Sequence, residues 1–235
     1  VARLPMGHAF PRRDRGLPAR RQRLRFLLIH SNPGAGLPDL PGAMHEVQAI
    51  YDALTKGWQE RIHVTMLDAG DVTGKTLNRI LREGAFDVIH YAGHAYADDE
   101  QGDLSGLVLK GGEVFFAQKV RRLLEGRPLV FLNACQSAAV GGAPAERPGA
   151  YAQAEGLASA FLYGGAVACI GSLWPIYDVP AAAFAVAFYK YVLEGNMIGE
   201  AMRLARCDVR REHRDDATWA AFVLYGNPTY RHTLG

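Results

Sequence analysis

A chain of 235 residues that is 49% hydrophobic and 21% charged has the composition of a folded soluble protein with one domain and at most an appendage. This length buries a substantial core without disulfides or metal, which excludes a disordered tail, a collagen-like fibre and a small disulfide scaffold. The three cysteines, Cys135, Cys169 and Cys207, form no CxxC unit and no paired framework, and no N-terminal apolar segment resembles a secretion signal. These features favour a reducing, cytoplasmic compartment.

The formal net charge of +2 is unevenly distributed. Residues 1–25 hold eight arginines and one acid, or +7, while the remainder holds 18 basic and 23 acidic residues, or −5. An Arg-rich tail at residues 1–24 either binds nucleic acid or an anionic membrane through charge alone or is an exposed linker. We favour the linker, with nucleic acid as a weak alternative partner, so the folded domain is expected at residues 25–235.

The predicted elements alternate strands with helices. In chain order they are a strand at 25–32, a helix at 42–56, a strand at 61–69, a helix at 73–81, a strand at 86–94 that runs into a glycine turn, a hairpin at 104–116, a helix at 117–125, a strand at 128–135, a loop at 136–152, a helix at 155–163, a strand at 166–173, helices at 179–194 and 197–211, and a strand at 220–227. This alternation predicts an α/β fold whose mostly parallel sheet carries helices on both faces.

Residues 156–177 contain no charged side chain and are long enough to span a bilayer. However, Gly164, Gly165 and Pro175 interrupt the segment, and its second half has the composition of a strand. A buried helix, turn and strand therefore fits it better than a membrane span.

Two of the predicted strands end in reactive side chains, His94 in the segment 90–94 and Cys135 in the segment 132–137. Sites of open α/β sheets lie beyond the carboxyl ends of the strands, where these side chains can meet. An imidazole favours the nucleophilic thiolate, accepts its proton and then protonates a leaving amine. The backbone N–H groups of Cys135 and Ala95 would face a developing oxyanion. The spacing alone also allows Cys135 to be a small core residue.

The chain resembles the CHAT family, caspase-like cysteine peptidases of the clan that includes separases and metacaspases. The resemblance covers roughly residues 25–230, and its motifs occur in the family's order at residues 90–95, 132–137, 155–178, 188–189 and 219–228. It implies a caspase–haemoglobinase fold and a Cys–His dyad at His94 and Cys135. Ala95 stands where the family has Gly, which would restrict a turn at this position because Gly reaches dihedral angles that Ala avoids.

The resemblance implies a cysteine endopeptidase that cuts a protein substrate through a thioester acyl-enzyme. The family's members are commonly fused to, or encoded beside, sensory or repeat modules and serve in prokaryotic defence or programmed cell death. A protein substrate and a regulatory protein or fused sensor module are therefore the expected partners. The alternative is a catalytically silent, caspase-like interaction module. The presence of both dyad residues argues against this alternative, and Ala95 argues for it.

Trp174 and Asp178 are predicted in the loop after the fifth strand, where the family builds its substrate pocket. Related peptidases of the clan that cleave after Arg or Lys place an acid at the floor of the first pocket, and a carboxylate suits a guanidinium because it accepts two parallel hydrogen bonds. Cleavage after a basic residue is the expectation. Asp178 is equally explained as a helix N-terminal residue that precedes Pro180.

His90 and His94 are four residues apart, a spacing that binds zinc on a helix, but here both lie in a strand without a third ligand nearby. We therefore expect no metal and no cofactor, and a structural hydrogen bond for His90. The hydrophobic pattern predicts that five further sulfur-containing side chains lie in the core, namely Cys169, Cys207, Met44, Met66 and Met202.

Overall fold

The computed structural model describes residues 2–3, 23–34, 36–96, 105–120, 123–135 and 149–232, with backbone alone for residues 2–3, Cys135 and residues 149–155. The strands in these ranges are β1 Ala2–Arg3, β2 Leu24–His30, β3 Ile62–Leu67, β4 Val88–Tyr96, β5 Gly106–Val108, β6 Val114–Phe116, β7 Leu129–Cys135, β8 Ala168–Ser172 and β9 Phe222–Gly226. The helices are α1 Pro41–Trp58, α2 Gly74–Glu83, α3 Ala117–Val120, α4 Gly149–Gly164, α5 Asp178–Leu193, α6 Ile198–Glu212 and α7 Thr218–Ala221.

The main sheet has the order β1-β9-β8-β7-β4-β2-β3, and β5 and β6 form a hairpin attached to the end of β4. Every neighbouring pair along this order is parallel except β8 and β9. The predicted mostly parallel sheet is confirmed. β1 belongs to the predicted Arg-rich tail and pairs with β9, whereas residues 4–22 of that tail lie outside the described residues.

Alternate residues of the central strands enter two separate hydrophobic cores. On β2, Phe26 and Leu28 pack with α1, α5 and α6, whereas Leu27 and Ile29 pack with α2, α3 and α4. Burial on both faces explains why these strands are almost continuously apolar in sequence. The predicted helices on both faces of the sheet are thereby confirmed.

The glycine turn expected after residue 94 is absent, because β4 continues to Tyr96 and its last residues pair with β5. The helix expected at 155–163 begins earlier, at Gly149, and the remainder of the expected loop, residues 136–148, lies outside the described residues. α7 was not expected, and its four residues directly precede β9. A single helical turn is too short to produce a recognisable hydrophobic period.

Two side chains assigned to the core are exposed instead. Met44 is 51% exposed because the buried face of α1 consists of its neighbours, Gly42, Ala43, Glu46, Val47, Ile50 and Leu54. Cys207 lies on α6 outside the buried set Ile198, Ala201, Met202, Ala205 and Val209. Cys169 and Met202 are buried as predicted, and Met66 packs partly buried against the core.

The uncharged segment at 156–177 forms the end of α4, a turn at Gly165 and strand β8, as expected. Its α4 side chains fill the core on that side of the sheet, whereas its strand residues enter both cores, Cys169 on the α4 side and Ala168 and Ile170 on the other. Among the described residues, no helix combines the length and apolar character that a membrane crossing needs.

Candidate active site

Strands β4 and β7 bring His94 and Cys135 side by side. The two strands are parallel neighbours whose register runs from Val88 opposite Leu129 to His94 opposite Cys135. Adjacent strands lie about 4.8 Å apart, so the two residues are neighbours despite 41 residues of intervening chain. Both stand at the carboxyl end of the parallel sheet, the edge where α/β proteins place their sites.

The His94 ring is fully buried, and its Nε2 lies 2.8 Å from the carbonyl oxygen of Pro38. A carbonyl oxygen accepts only, so Nε2 must carry the hydrogen and donate it. The neutral ring then has its lone pair on Nδ1, the nitrogen that can take up a proton. Pro38 belongs to the irregular segment that connects β2 to α1, and Pro41 opens α1 at a position where proline suits the first helical turn.

The side chain of Tyr91 contacts the backbone of His94. The fully buried Tyr91 hydroxyl lies 2.7 Å from the carbonyl oxygens of His94 and Val108 and donates its single hydrogen to one or the other of them. Burial raises the pKa of Tyr91 far above its usual value, so the hydroxyl keeps this hydrogen. A Cβ on Gly93 would lie 2.6 Å from that hydroxyl oxygen. The glycine before His94 is therefore required by the tyrosine two residues earlier.

Ala95 lies within β4, paired with Leu107 of β5, and not in a turn. Among the described non-glycine residues, only Ala85 has a positive φ, so the backbone at Ala95 does not need the dihedral angles reserved for glycine. The expected restriction by Ala95 therefore has no physical basis. Its N–H as an oxyanion donor stays a prediction.

Trp174 and Asp178 follow β8 in the chain. Trp174 lies in the connecting segment and is 39% exposed, whereas Asp178 is not in the loop but is the first residue of α5. Its exposed carboxylate lies against the first turn of α1, because a Cβ on Gly42 would come within 2.0 Å of Asp178 Cγ. Gly42 follows Pro38 by four residues, so Asp178 stands beside the segment that holds His94.

His90 makes the structural contacts that its sequence position predicts. It is fully buried, its Nδ1 lies 3.0 Å from the Tyr189 hydroxyl, and its Nε2 lies 3.3 Å from Glu46 Oε1. Asn133 of β7 donates a hydrogen bond from Nδ2 to Glu46 Oε2. Within the described ranges, no group of three His, Cys, Asp or Glu side chains is arranged to hold a metal ion.

The sequence profile of the CHAT domain matches residues 5–227. The chain belongs to the CHAT domain family. One similar solved structure is separase of Saccharomyces cerevisiae in its complex with securin, with a TM-score of 0.53 and 19% identity; the match covers 88% of this chain and 12% of that chain. Another is Porphyromonas gingivalis RgpB in the complex of its pro- and mature domains, with a TM-score of 0.57 and 15% identity; the match covers 91% of this chain and 49% of that chain. The CHAT domain here thus has the caspase-like α/β fold. A comparison with curated protein sequences finds no significant match.

The CHAT domain contains two site features that the sequence reasoning missed. The carbonyl oxygen of Pro38 is a backbone atom, which every residue has, so no residue type marks it. The only signal is the density of prolines at 33, 38 and 41, which indicates a rigid irregular segment before the helix. Glu46 was missed because an acid on a helix normally marks the solvent face, whereas here it is buried.

We expect Gly93→Ala to destabilise the CHAT domain by about 1–3 kcal/mol, because the added methyl group must displace the Tyr91 hydroxyl from a packed core. Urea unfolding monitored by circular dichroism measures this loss. Tyr91→Phe is the matched control, since it removes the same hydroxyl without added volume and is expected to cost about 1–3 kcal/mol through the loss of a buried hydrogen bond to the His94 carbonyl oxygen. A Gly93→Ala protein with the unfolding free energy of the wild type would show that the glycine is not required.

Proposed function

We propose that this CHAT domain is a cysteine endopeptidase in which Cys135 is the nucleophile and His94 is the general base and acid. The observation that carries the proposal is the register of β4 and β7, which pairs His94 with Cys135 at the carboxyl edge of the sheet. The caspase-like fold of cysteine peptidases, found in the structural neighbours, supports it.

The reaction follows from these two groups. His94 Nδ1 accepts the thiol proton, and the thiolate sulfur attacks the carbonyl carbon of the scissile peptide bond. The oxygen that becomes negative is stabilised by the backbone N–H groups of Ala95 and Cys135. The C–N bond then breaks as the imidazolium returns its proton to the leaving amine, which leaves a thioester on Cys135. A water molecule, deprotonated by His94, hydrolyses the thioester and restores the free thiol.

The hydrogen bond from His94 Nε2 to the Pro38 carbonyl oxygen prepares His94 to act as base and acid in this reaction. A carbonyl oxygen that accepts from Nε2 fixes the ring orientation and stabilises the imidazolium formed when Nδ1 takes the thiol proton. This supports a dyad that needs no third carboxylate.

The proposed substrate is a protein cut after Arg or Lys, with Trp174 and Asp178 at the first pocket. The exposure of both side chains and the position of Asp178 beside α1 support this assignment. A carboxylate binds a guanidinium through two parallel hydrogen bonds, which an uncharged pocket cannot supply. As the first residue of α5, Asp178 also interacts favourably with the helix dipole, and one carboxylate can perform both roles.

We also propose that a regulatory protein or fused sensor module controls the enzyme in a prokaryotic defence or cell-death pathway in the cytoplasm. Two structural neighbours are themselves protein complexes, separase with securin and the pro-domain of RgpB with its mature domain. The chain spans 12% and 49% of those two chains, so further domains or partners accompany the fold there.

A silent interaction module is the second candidate. The observation in its favour is the complete burial of the His94 ring, which limits access of solvent and substrate to the base. The enzyme then requires a rearrangement near His94 when substrate binds, whereas the module does not.

Labelling with a peptidyl acyloxymethylketone distinguishes the two candidates. If the domain is an enzyme, the reagent modifies Cys135 selectively. His94→Ala then abolishes the modification, because Cys135 no longer forms a thiolate. The buried Cys169 and the exposed Cys207 are internal controls in the same peptide map. Equal, slow modification of all three cysteines would refute the peptidase and leave the module. A peptide-library digest with sequencing of the fragments then identifies the preferred residue.

A further inference from the structure

A buried polar cluster lies between the sheet and helices α1 and α5, below the His94–Cys135 pair. Its members are Glu46 of α1, His90 of β4, Asn133 of β7 and Tyr189 of α5. Glu46 is only 2% exposed, and His90 and Tyr189 are fully buried. The core around them is otherwise formed by apolar side chains of the strands and helices.

Such a cluster is costly to bury. A carboxylate and an imidazole removed from water lose their hydration, and well-packed apolar side chains of similar volume are often at least as stable. Fold stability alone is therefore a poor explanation for Glu46 and His90. The cluster needs a second reason, and its position provides one.

The contacts of the cluster connect three elements that build the proposed dyad. Glu46 accepts from Asn133, two residues before Cys135 on β7, and faces His90, four residues before His94 on β4. Its own helix, α1, begins three residues after Pro38, whose carbonyl oxygen accepts from the His94 ring. One carboxylate thus contacts both dyad strands from the helix that follows the His94 acceptor.

The proton positions agree with this arrangement. Burial and the negative charge of Glu46 raise the pKa of Tyr189 well above its usual value, so its hydroxyl remains protonated. A hydroxyl that donates to His90 Nδ1 leaves the hydrogen of the neutral ring on Nε2, which faces Glu46 at 3.3 Å. Glu46 therefore accepts a hydrogen bond from Asn133 on β7 and makes a close polar contact, without hydrogen-bond geometry, with His90 on β4. The described titratable groups facing it are His90 and Tyr189.

We propose that Glu46 is a positioning residue that fixes α1, and with it the Pro38 carbonyl, relative to the strands that carry His94 and Cys135. The proposal rests on the peptidase function proposed above. Glu46 acts on the reaction through these elements and touches neither the substrate nor the reacting atoms.

The first test is Glu46→Gln, measured with a peptide that the wild type cleaves. The amide offers one oxygen, so if that oxygen faces His90, Asn133 faces an NH₂ group and keeps its connection only by turning its own amide over within the packed core. A misplacement of about 1 Å costs roughly 10²-fold in rate, so we expect kcat to fall about 10- to 100-fold with KM unchanged. Tyr191→Phe is the matched control, because it removes a tyrosine hydroxyl on the same helix, α5, that donates to Asp208 of α6 and belongs to no part of the cluster. It lowers Tm and leaves kcat within about twofold.

The second test exchanges the polar groups in Glu46→Gln/Asn133→Asp. Here the oxygen of the new amide can accept from His90 while its NH₂ group donates to the new carboxylate, so both connections are restored with the charge moved to β7. We expect kcat to return to within about threefold of the wild type if position is what matters. A folded double variant as slow as Glu46→Gln would overturn the proposal, as would a Glu46→Gln protein with lowered Tm and wild-type kcat.

Two further measurements keep the test decisive. If Glu46→Gln does not fold, Asn133→Ala removes the same contact from the other side, and its unchanged kcat would overturn the proposal. The rate of Cys135 alkylation by iodoacetamide, followed from about pH 5 to 9, reports the thiol–imidazole pair without any peptide substrate. A wild type that alkylates rapidly but cleaves nothing refutes the peptidase, whereas an unchanged alkylation profile in Glu46→Gln refutes the positioning role.

Discussion

Cys135→Ala is expected to abolish peptide cleavage while the domain remains folded. Without the sulfur no thioester forms, so kcat should fall by at least about 10³-fold. Cys135 is the last residue of β7, and alanine keeps its Cβ and removes only the sulfur atom, so the unfolding free energy should change by no more than about 1 kcal/mol. Activity is measured on a peptide found by library digestion, and folding by urea titration of the same preparation.

The control for this substitution is Cys207→Ala, because Cys207 is exposed on α6 and belongs to no proposed site. It should cleave at the wild-type rate. His94→Ala should lose about 10²- to 10⁴-fold, the usual contribution of a general base and acid. Cleavage by Cys135→Ala at the wild-type rate would exclude Cys135 as the nucleophile; of the other two cysteines, Cys169 is buried in the core and Cys207 is tested by its own substitution.

The central strands were predictable because each physical requirement leaves a mark in the sequence. β4 and β7 are buried on both faces, which demands long apolar runs, and a hairpin appears where Gly111 and Gly112 supply the two positive φ values. The helix cap at Thr73 was equally readable, since its hydroxyl accepts from the N–H of Thr76.

Features that depend on tertiary contacts could not be predicted from the sequence. The sequence around residue 94 indicates a turn because Gly93 precedes it, yet the glycine is needed to make room for the Tyr91 hydroxyl inside a continuous strand. Met44 lies one position from the buried Ala43 and Cys207 two positions from the buried Ala205 and Val209, and the packing of α1 and α6 decides which face is covered.

In the candidate site too, some residues were predictable from the sequence and others depended on tertiary contacts. His94 and Cys135 could be inferred because reactive side chains at the ends of neighbouring strands are chemically distinctive. The Pro38 carbonyl and the buried Glu46 could not, since a backbone oxygen has no residue signature and an acid on a helix is normally solvated.

Asp178→Asn is expected to reduce the preference for substrates with Arg at the cleaved position. The substitution removes the charge and half of the bidentate acceptor while keeping the size of the side chain. Because Asp178 is exposed, water competes with the guanidinium, and we expect kcat/KM for an Arg substrate to fall about 10- to 100-fold relative to a matched Leu substrate. Matched Arg, Lys, Asp and Leu peptides measure the change.

Gly42→Ala tests the position of that carboxylate without removing it. The new Cβ would lie 2.0 Å from Asp178 Cγ, and the carboxylate must swing away because it is the free end of an exposed side chain, whereas the glycine belongs to the helix. The helix itself should tolerate alanine, which favours helical structure over glycine. We expect the Arg preference to fall severalfold while cleavage of the Leu peptide is unchanged.

The two substitutions together separate the pocket from the helix terminus. If Asp178 serves only α5, Asp178→Asn changes Tm slightly through the helix dipole and leaves every peptide's kcat/KM ratio intact. If it lines the pocket, both variants lose selectivity for Arg and Lys, and Asp178→Asn loses more because its charge is gone. A wild type that prefers Leu or Asp substrates would exclude the basic-residue pocket, and it would leave the roles of His94 and Cys135 untouched because these rest on the register of β4 and β7.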